Sequence, residues 1–368
     1  MKRNIVFVLA AVSLLFAACS RPSDEDYPTV FAHRTCWLAD VQSPWAVSEC
    51  YVPENSLDGI RMAARFGYAA AECDVRWTLD SVLVCMHDKS INRTMRRSDG
   101  GPIEGEVNVK ETTYEDLLQY RLWSCEPEFR RPIPRFEEML LQYRESGVVP
   151  LLHCSIFEGY EMAKEILGDG FICFTTDFGV CLRTRAISSC KVLLDPRSEL
   201  TKRGLDATPE NVISLLREIG GDCGISSMKY EMCSPEMCAA LRSEGYDVQS
   251  SIFPTPHEMA AARDGATILL SDFCWKPGKD RKPLFSETLR GSVSRTWGEM
   301  ELGAMTLRIE GSGSCTVTMN ERTYEVGAPA QEGVRESLSL RFWHSAPSVS
   351  VRCGEDSSFK VLVQIFEI

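Results

Sequence analysis

Between residues 30 and 271, eight short apolar runs alternate with helix-period segments, and this alternation limits the fold more than any other feature. The runs are strand-length: Val30–His33, Ala70–Val75, Val148–His153, Phe171–Thr175, Cys190–Leu194, Cys223–Ser227, Asp247–Phe253 and Thr267–Ser271. Helix-period segments lie between them, including Ser56–Phe66, Phe136–Arg144, Tyr160–Leu167, Pro209–Ile219, Pro235–Ser243 and Pro256–Arg263. Several open on Ser or Pro, as helix N-termini do. Eight such units over about 245 residues predict a (β/α)8 barrel of TIM type, with a doubly wound sheet as the alternative topology. A barrel of this kind carries its active site at the carboxyl ends of its strands. His33, His153 and Asp272 end or follow three of them.

The period changes after KPGKDRKPLFSETLRG. MTLRIEG, CTVTMN, SLSLRFW, SVSVRC and FKVLVQIF each alternate with period two, turn-rich stretches separate them, and no helix-period segment intervenes. This predicts a small all-β sandwich over 285–368, following a barrel over 29–284. Within the sandwich, Phe342, Trp343 and His344 are read as an alternating strand with one buried aromatic, and a glycan contact by this domain is carried as the second reading.

The chain opens with Lys2 and Arg3, followed by an apolar run of 14 residues from Ile5 to Ala18. A bilayer span needs roughly 20 residues, so the run reads as the h-region of a signal peptide over 1–18. Leu15-Phe16-Ala17-Ala18-Cys19 resembles a bacterial lipobox, and 19–28 then forms a polar tether. The expected protein is an exported lipoprotein held on a bacterial membrane through lipidated Cys19, periplasmic or at the cell surface; an ordinary cleaved signal is the alternative. The formal charge of −12 argues against nucleic acid as a partner, and lipid attachment needs no basic patch.

Sixteen cysteines in an exported chain invite a disulfide framework. Cys73, Cys85, Cys154, Cys173 and Cys190, however, lie in or beside apolar strand-like runs, where a thiol packs as a small hydrophobe. Mostly buried free thiols are expected, and no zinc-site spacing of Cys and His is present.

Three stretches carry candidate chemistry: FAHRTC, VPENSLDGIRMA and AECDVRWTLDSVLVCMHD. Glu72 and Asp74, two positions apart on a strand, share a face. Taken singly, each motif has an ordinary structural reading; Pro53-Glu54-Asn55, for example, suits a turn with Asn55 or Ser56 as helix N-cap. Together and in this order, His33-Arg34, Pro53-Glu54-Asn55, Glu72-Cys73-Asp74 and His87-Asp88 closely resemble the core pattern of the glycerophosphodiester phosphodiesterase family. The likeness continues through INRTMRRSDG, TTYEDLLQYRL and IPRFEEML and returns in DGATILLSDF, so it covers about residues 30 to 273.

The resemblance implies a phosphoric diester hydrolase releasing glycerol 3-phosphate from small-molecule phosphodiesters. His33 and His87 would share the acid and base roles, with the glycerol hydroxyl as first nucleophile by way of a cyclic phosphate. Arg34 would grip a phosphate oxygen. Glu54, Glu72 and Asp74 form an all-oxygen set suited to a hard divalent cation, Ca²⁺ or Mg²⁺.

The chain departs from the family pattern in several places. Thr35 stands where members carry Gly, and His153-Cys154-Ser155 stands where they carry Glu-x-Lys, so one acidic ligand and one cation are missing. Ser251 replaces a usual aromatic, and the loop from Arg34 to Pro53 is long and holds Trp37, Trp45 and Tyr51, which form a lid, lie on a sugar or lipid moiety, or anchor the loop by hydrophobic contacts. His153 either ligates the metal, softening the site toward a transition ion, or hydrogen-bonds the phosphate. A surface protein that binds phosphorylated glycans or lipid headgroups without turning them over is the alternative function.

Overall fold

The computed structural model describes residues 28–39, 50–227, 230–251, 265–272, 275–278, 280–320, 322–326 and 334–368. The expected leader over 1–18, Cys19, Trp45 and the expected helix Pro256–Arg263 with His257 lie outside the described residues.

Eight parallel strands form the barrel: β1 Thr29–Ala32, β2 Ala70–Trp77, β3 Val149–His153, β4 Ile172–Thr175, β5 Lys191–Leu194, β6 Cys223–Ser227, β7 Asp247–Ser251 and β8 Ile268–Ser271. Each pairs with the next, β8 pairs with β1, and Ala32 beside Ala71 joins β1 to β2. This closure excludes the doubly wound sheet. Around the strands lie α1 Leu57–Phe66, α2 Phe136–Ser146, α3 Phe157–Leu167, α4 Phe178–Ile187, α5 Arg197–Arg203, α6 Pro209–Ile219 and α7 Pro235–Ser243.

The helix ends follow from local chemistry. The Ser56 hydroxyl accepts the Gly59 N–H at the start of α1, and Gly67 ends it in a left-handed conformation at φ 79°. Thr208 and Ser234 cap α6 and α7, each followed by proline at the first helical position.

Period two along the strands decides what faces the barrel axis. Phe31, Ala70, Leu151, Ile172, Phe174, Leu193, Ile268 and Leu270 form one buried apolar cluster, the plug of the barrel. Continuing the same rows toward the carboxyl ends gives His33 after Phe31, Glu72 and Asp74 after Ala70, His153 after Leu151 and Asp272 after Leu270. A polar layer therefore stands directly on an apolar one.

Beyond the barrel, β9 Phe285–Arg290, β10 Val293–Thr296, β11 Met300–Ser312, β12 Cys315–Met319, β13 Arg322–Val326, β14 Val334–Ser345, β15 Ser348–Cys353 and β16 Ser358–Glu367 make two four-stranded antiparallel sheets. Their orders are β9-β16-β11-β14 and β10-β15-β12-β13. Leu307, Val317, Val351 and Val363 contribute to a shared buried core. The strands β9, β10 and β13 were not among the predicted runs. Trp275 ties this region to the barrel, its indole N–H donating to the Phe66 carbonyl at 2.9 Å.

Every cysteine among the described residues is a free thiol, and all but Cys125 and Cys353 are buried. Burial pushes the Cys154 thiol up to about 12, which keeps it protonated.

Candidate active site

Three backbone positions with left-handed φ shape the rim: Arg34 at 46°, Thr35 at 69° and Asn55 at 51°. Such a conformation costs a β-branched residue such as Thr35 about 1–2 kcal/mol, so the surroundings must impose it. What it achieves is visible at Glu72. The Arg34 backbone N–H donates to Glu72 Oε2 at 2.7 Å, and the Thr35 N–H donates to the Glu72 carbonyl at 2.5 Å. Gly59 makes room for the turn, since a Cβ there would lie 2.1 Å from Thr35 Oγ1.

With Oε2 engaged, Glu72 Oε1 is buried and finds no hydrogen-bond partner among the described residues. Burial, and then the charge of Asp74, raise the Glu72 carboxyl well above the usual carboxylate range. Asp74 behaves oppositely. Burial alone would raise it, but the His153 hydrogen bond and charge, with His87 and Arg34, hold it well below that range.

Asp74 within β2 and His153 at the end of β3 are register partners, the last pair between the two strands. His153 Nδ1 lies 3.1 Å from Asp74 Oδ1 and 3.7 Å from Glu72 Oε1. Its ring stacks on Phe174, with centroids 4.3 Å apart and planes 14° from parallel. Glu72, Asp74 and His153 form a group in which one ligand atom from each lies within 4.8 Å of the others. An unsatisfied buried carboxylate oxygen beside a second carboxylate and an imidazole fits a divalent cation.

Glu54, expected as the third acidic ligand, is placed differently. It accepts from Arg34 Nη1 at 3.2 Å at both oxygens, and from Arg93 at 2.6 and 2.9 Å. It is not in the three-residue group; His153 is.

The two histidines each sit against a carboxylate. His33 Nδ1 is 2.6 Å from Asp272 Oδ1, and its Nε2 is 4.0 Å from Glu72 Oε2. The Trp37 indole N–H also donates to Asp272 Oδ1 at 2.6 Å. Burial opposes charge on Asp272, yet His33 and Trp37 keep its carboxyl below the usual range. His87 Nδ1 is 2.6 Å from Asp88 Oδ1. The strand segment Leu83–Cys85 pairs antiparallel with β2, and the Met86 N–H donates to the Asp74 carbonyl at 3.1 Å, which brings His87 to the same rim.

Sequence reasoning assigned no role to Arg93 or Asp272, though both lie in stretches that carried the resemblance. Asn55 is not the N-cap, which Ser56 supplies; it binds Asp74 instead. Of the loop aromatics, Trp37 is buried on Asp272 and Tyr51 stacks on Trp343 with centroids 6.2 Å apart, so both anchor.

Comparison with known proteins bears on this geometry. Residues 48–190 match the profile of the Glycerophosphoryl diester phosphodiesterase family. A 65-residue stretch is 48% identical to Glycerophosphodiester phosphodiesterase 1 of Bos taurus, covering 18% of this chain and 17% of that protein. The Homo sapiens protein of the same name is 34% identical over 65 residues, with the same coverage of 18% and 17%. The chain thus spans only 17% of the length of these curated relatives. A Silicibacter pomeroyi DSS-3 structure, assigned to the glycerophosphoryl diester phosphodiesterases, superposes with a TM-score of 0.53 at 18% identity, over 67% of this chain and 90% of that one. At that identity the likeness is one of fold.

Proposed function

The chain carries a glycerophosphoryl diester phosphodiesterase family domain, and from that premise we propose that it hydrolyses glycerophosphodiesters, or related lipid-headgroup diesters, to glycerol 3-phosphate and an alcohol. The observation that carries the reading is the meeting, at one barrel rim, of two imidazole–carboxylate pairs with the Glu72, Asp74 and His153 group.

In this reading Asp272 and Asp88 fix Nδ1 of His33 and His87, so Nε2 of each ring exchanges the proton. One imidazole takes the proton of the attacking glycerol hydroxyl, and the other protonates the departing alkoxide. Water then opens the resulting cyclic phosphate with the roles reversed. Each imidazole contributes about 10²–10⁴, together at most about 10⁸, whereas enzymes reach about 10⁶–10¹⁷. Electrostatic stabilisation must therefore supply the remainder. A divalent cation held by Glu72, Asp74 and His153 would supply positive charge to the phosphoryl oxygens. Arg34 and Arg93, both oriented by Glu54, add cationic charge at the same rim.

The absence of the family's Glu-x-Lys at 153–155 favours a rival reading, binding of phosphorylated glycans or headgroups without turnover. A panel of phosphodiesters assayed with Ca²⁺, Mg²⁺, Mn²⁺ and chelator separates the two. The hydrolase releases glycerol 3-phosphate and stops on chelation; the binder retains phosphate esters unchanged. We also propose that the protein is anchored on a bacterial membrane through lipidated Cys19. A Cys19→Ser variant recovered in the soluble fraction supports the anchor, and one recovered with the membranes contradicts it.

A further inference from the structure

We propose that the rim selects a transition-metal dication over Ca²⁺ and Mg²⁺, because His153 sets an imidazole nitrogen beside the two carboxylates of Glu72 and Asp74. The inference rests on reading this rim as a metal site, but not on the reaction performed there.

The donor set supports it. Ca²⁺ takes about six to eight oxygen ligands, and Mg²⁺ wants a near-octahedral shell of oxygens. Here the protein offers two carboxylates, Glu72 and Asp74, while the third nearby acid, Glu54, is committed to the guanidiniums of Arg34 and Arg93. A mixed set of two carboxylates and one imidazole suits Mn²⁺, Fe²⁺, Co²⁺ or Zn²⁺ better than either alkaline-earth ion, with affinity rising from Mn²⁺ through Fe²⁺ to Co²⁺.

The imidazole is also held in place. Stacking on Phe174 fixes the ring plane, and Nδ1 faces both carboxylates at 3.1 and 3.7 Å. Glu72 is 1% exposed, and its Oε1, aimed into the group, has no hydrogen-bond partner among the described residues. A simple His153–Asp74 ion pair would account for Asp74 but would leave that oxygen unsatisfied.

The test is equilibrium binding to the full chain after chelator dialysis. Mn²⁺, Co²⁺, Zn²⁺, Mg²⁺ and Ca²⁺ are titrated separately by calorimetry, and the Mn²⁺-loaded chain is examined by electron spin-echo spectroscopy. The expected result is one Mn²⁺, Co²⁺ or Zn²⁺ per chain, bound at least ~10-fold more tightly than Mg²⁺ or Ca²⁺. Nitrogen modulation from an imidazole should appear in the echo and vanish in His153→Gln, and His153→Glu should shift selectivity back toward Mg²⁺ and Ca²⁺. Equal affinity for Mg²⁺ and Co²⁺, no binding of any ion, or an echo without nitrogen modulation overturns the proposal. Wild-type selectivity needs no variant, so a misfolded variant does not block the test. Selective binding without hydrolysis would defeat the proposed function and leave this inference standing.

Discussion

Asn55 and Asp74 hold each other by two hydrogen bonds: Asn55 Nδ2 donates to Asp74 Oδ2 at 3.0 Å, and the Asp74 backbone N–H donates to Asn55 Oδ1 at 2.9 Å. The pairing occupies Oδ2 and turns Oδ1 toward His153. Asn is one of the few side chains that tolerate the left-handed conformation found at this position. Asn55→Asp keeps that tolerance but loses the amide donor and sets carboxylate against carboxylate. Loss of such an orienting contact typically costs about 10–100-fold in metal affinity. Calorimetric titration of the variant should show a loss of that size with the fold intact by circular dichroism.

Thr35 occupies a left-handed position at φ 69° where the resembled family carries glycine. Thr35→Gly relieves about 1–2 kcal/mol of backbone strain but gives the unfolded chain more freedom and removes the Thr35 hydroxyl bond to the Arg34 carbonyl. The freer unfolded chain costs about 0.5–1 kcal/mol and the lost hydrogen bond about 0.5–1.5 kcal/mol, so the changes nearly cancel and urea unfolding of the metal-free protein should shift by no more than about 1 kcal/mol.

Asp272 is fully buried and its carboxyl is held below the usual range by His33 and Trp37. A depressed carboxyl contributes stability that is present above its unfolded-state value of about 3.9 and is lost as pH falls through the lower folded value. Urea unfolding followed from about pH 5 down through the folded value should show this loss, and Asp272→Asn should flatten it. The same substitution removes a charge-assisted bond to His33 worth about 1.5–3 kcal/mol and should lower kcat more than KM.

Arg341 reaches from β14 into the back of this pair, donating to Cys36 Sγ at 2.5 Å and to the backbone carbonyl of Asp272. Burial opposes its charge, while Cys36, Tyr68 and Asp272 favour it. Arg341→Ala should destabilise the chain by about 1.5–3 kcal/mol and reduce kcat through His33 positioning. Arg341→Lys, which keeps the charge but not the planar fork, should recover only part of the loss. An unchanged kcat in both variants would mean that the C-terminal sheets do not support the rim.

Much of this was legible in the sequence because of how barrels bury their strands. A strand covered on both faces reads as an apolar run, which is why β1 to β8 stood out. Period two then placed Glu72 and Asp74 on one face, and Ser56, Pro209 and Pro235 marked helix starts. Helix α4, FGVCLRTRAI, escaped notice because it carries no clean apolar stripe, and β9 because its side chains are mostly exposed and do not alternate. The pairings across the site were out of reach for another reason. His33 meets Asp272 across 239 residues and Cys36 meets Arg341 across 305, and no local pattern encodes contacts of that separation. That Glu54 binds Arg93 as well as Arg34, and so stands apart from the group of Glu72, Asp74 and His153, shows only in the geometry.

The proposed function stands or falls with cleavage of a phosphodiester by the paired imidazoles at this rim. Its most direct test is the rate of glycerol 3-phosphate release from glycerophosphocholine by the metal-loaded chain, compared with His33→Ala and His87→Ala. Turnover should be measurable and should fall by about 10²–10⁴ in each variant while the bound metal is retained. Turnover that survives both substitutions, or a wild-type chain that binds the diester and releases nothing, would contradict it.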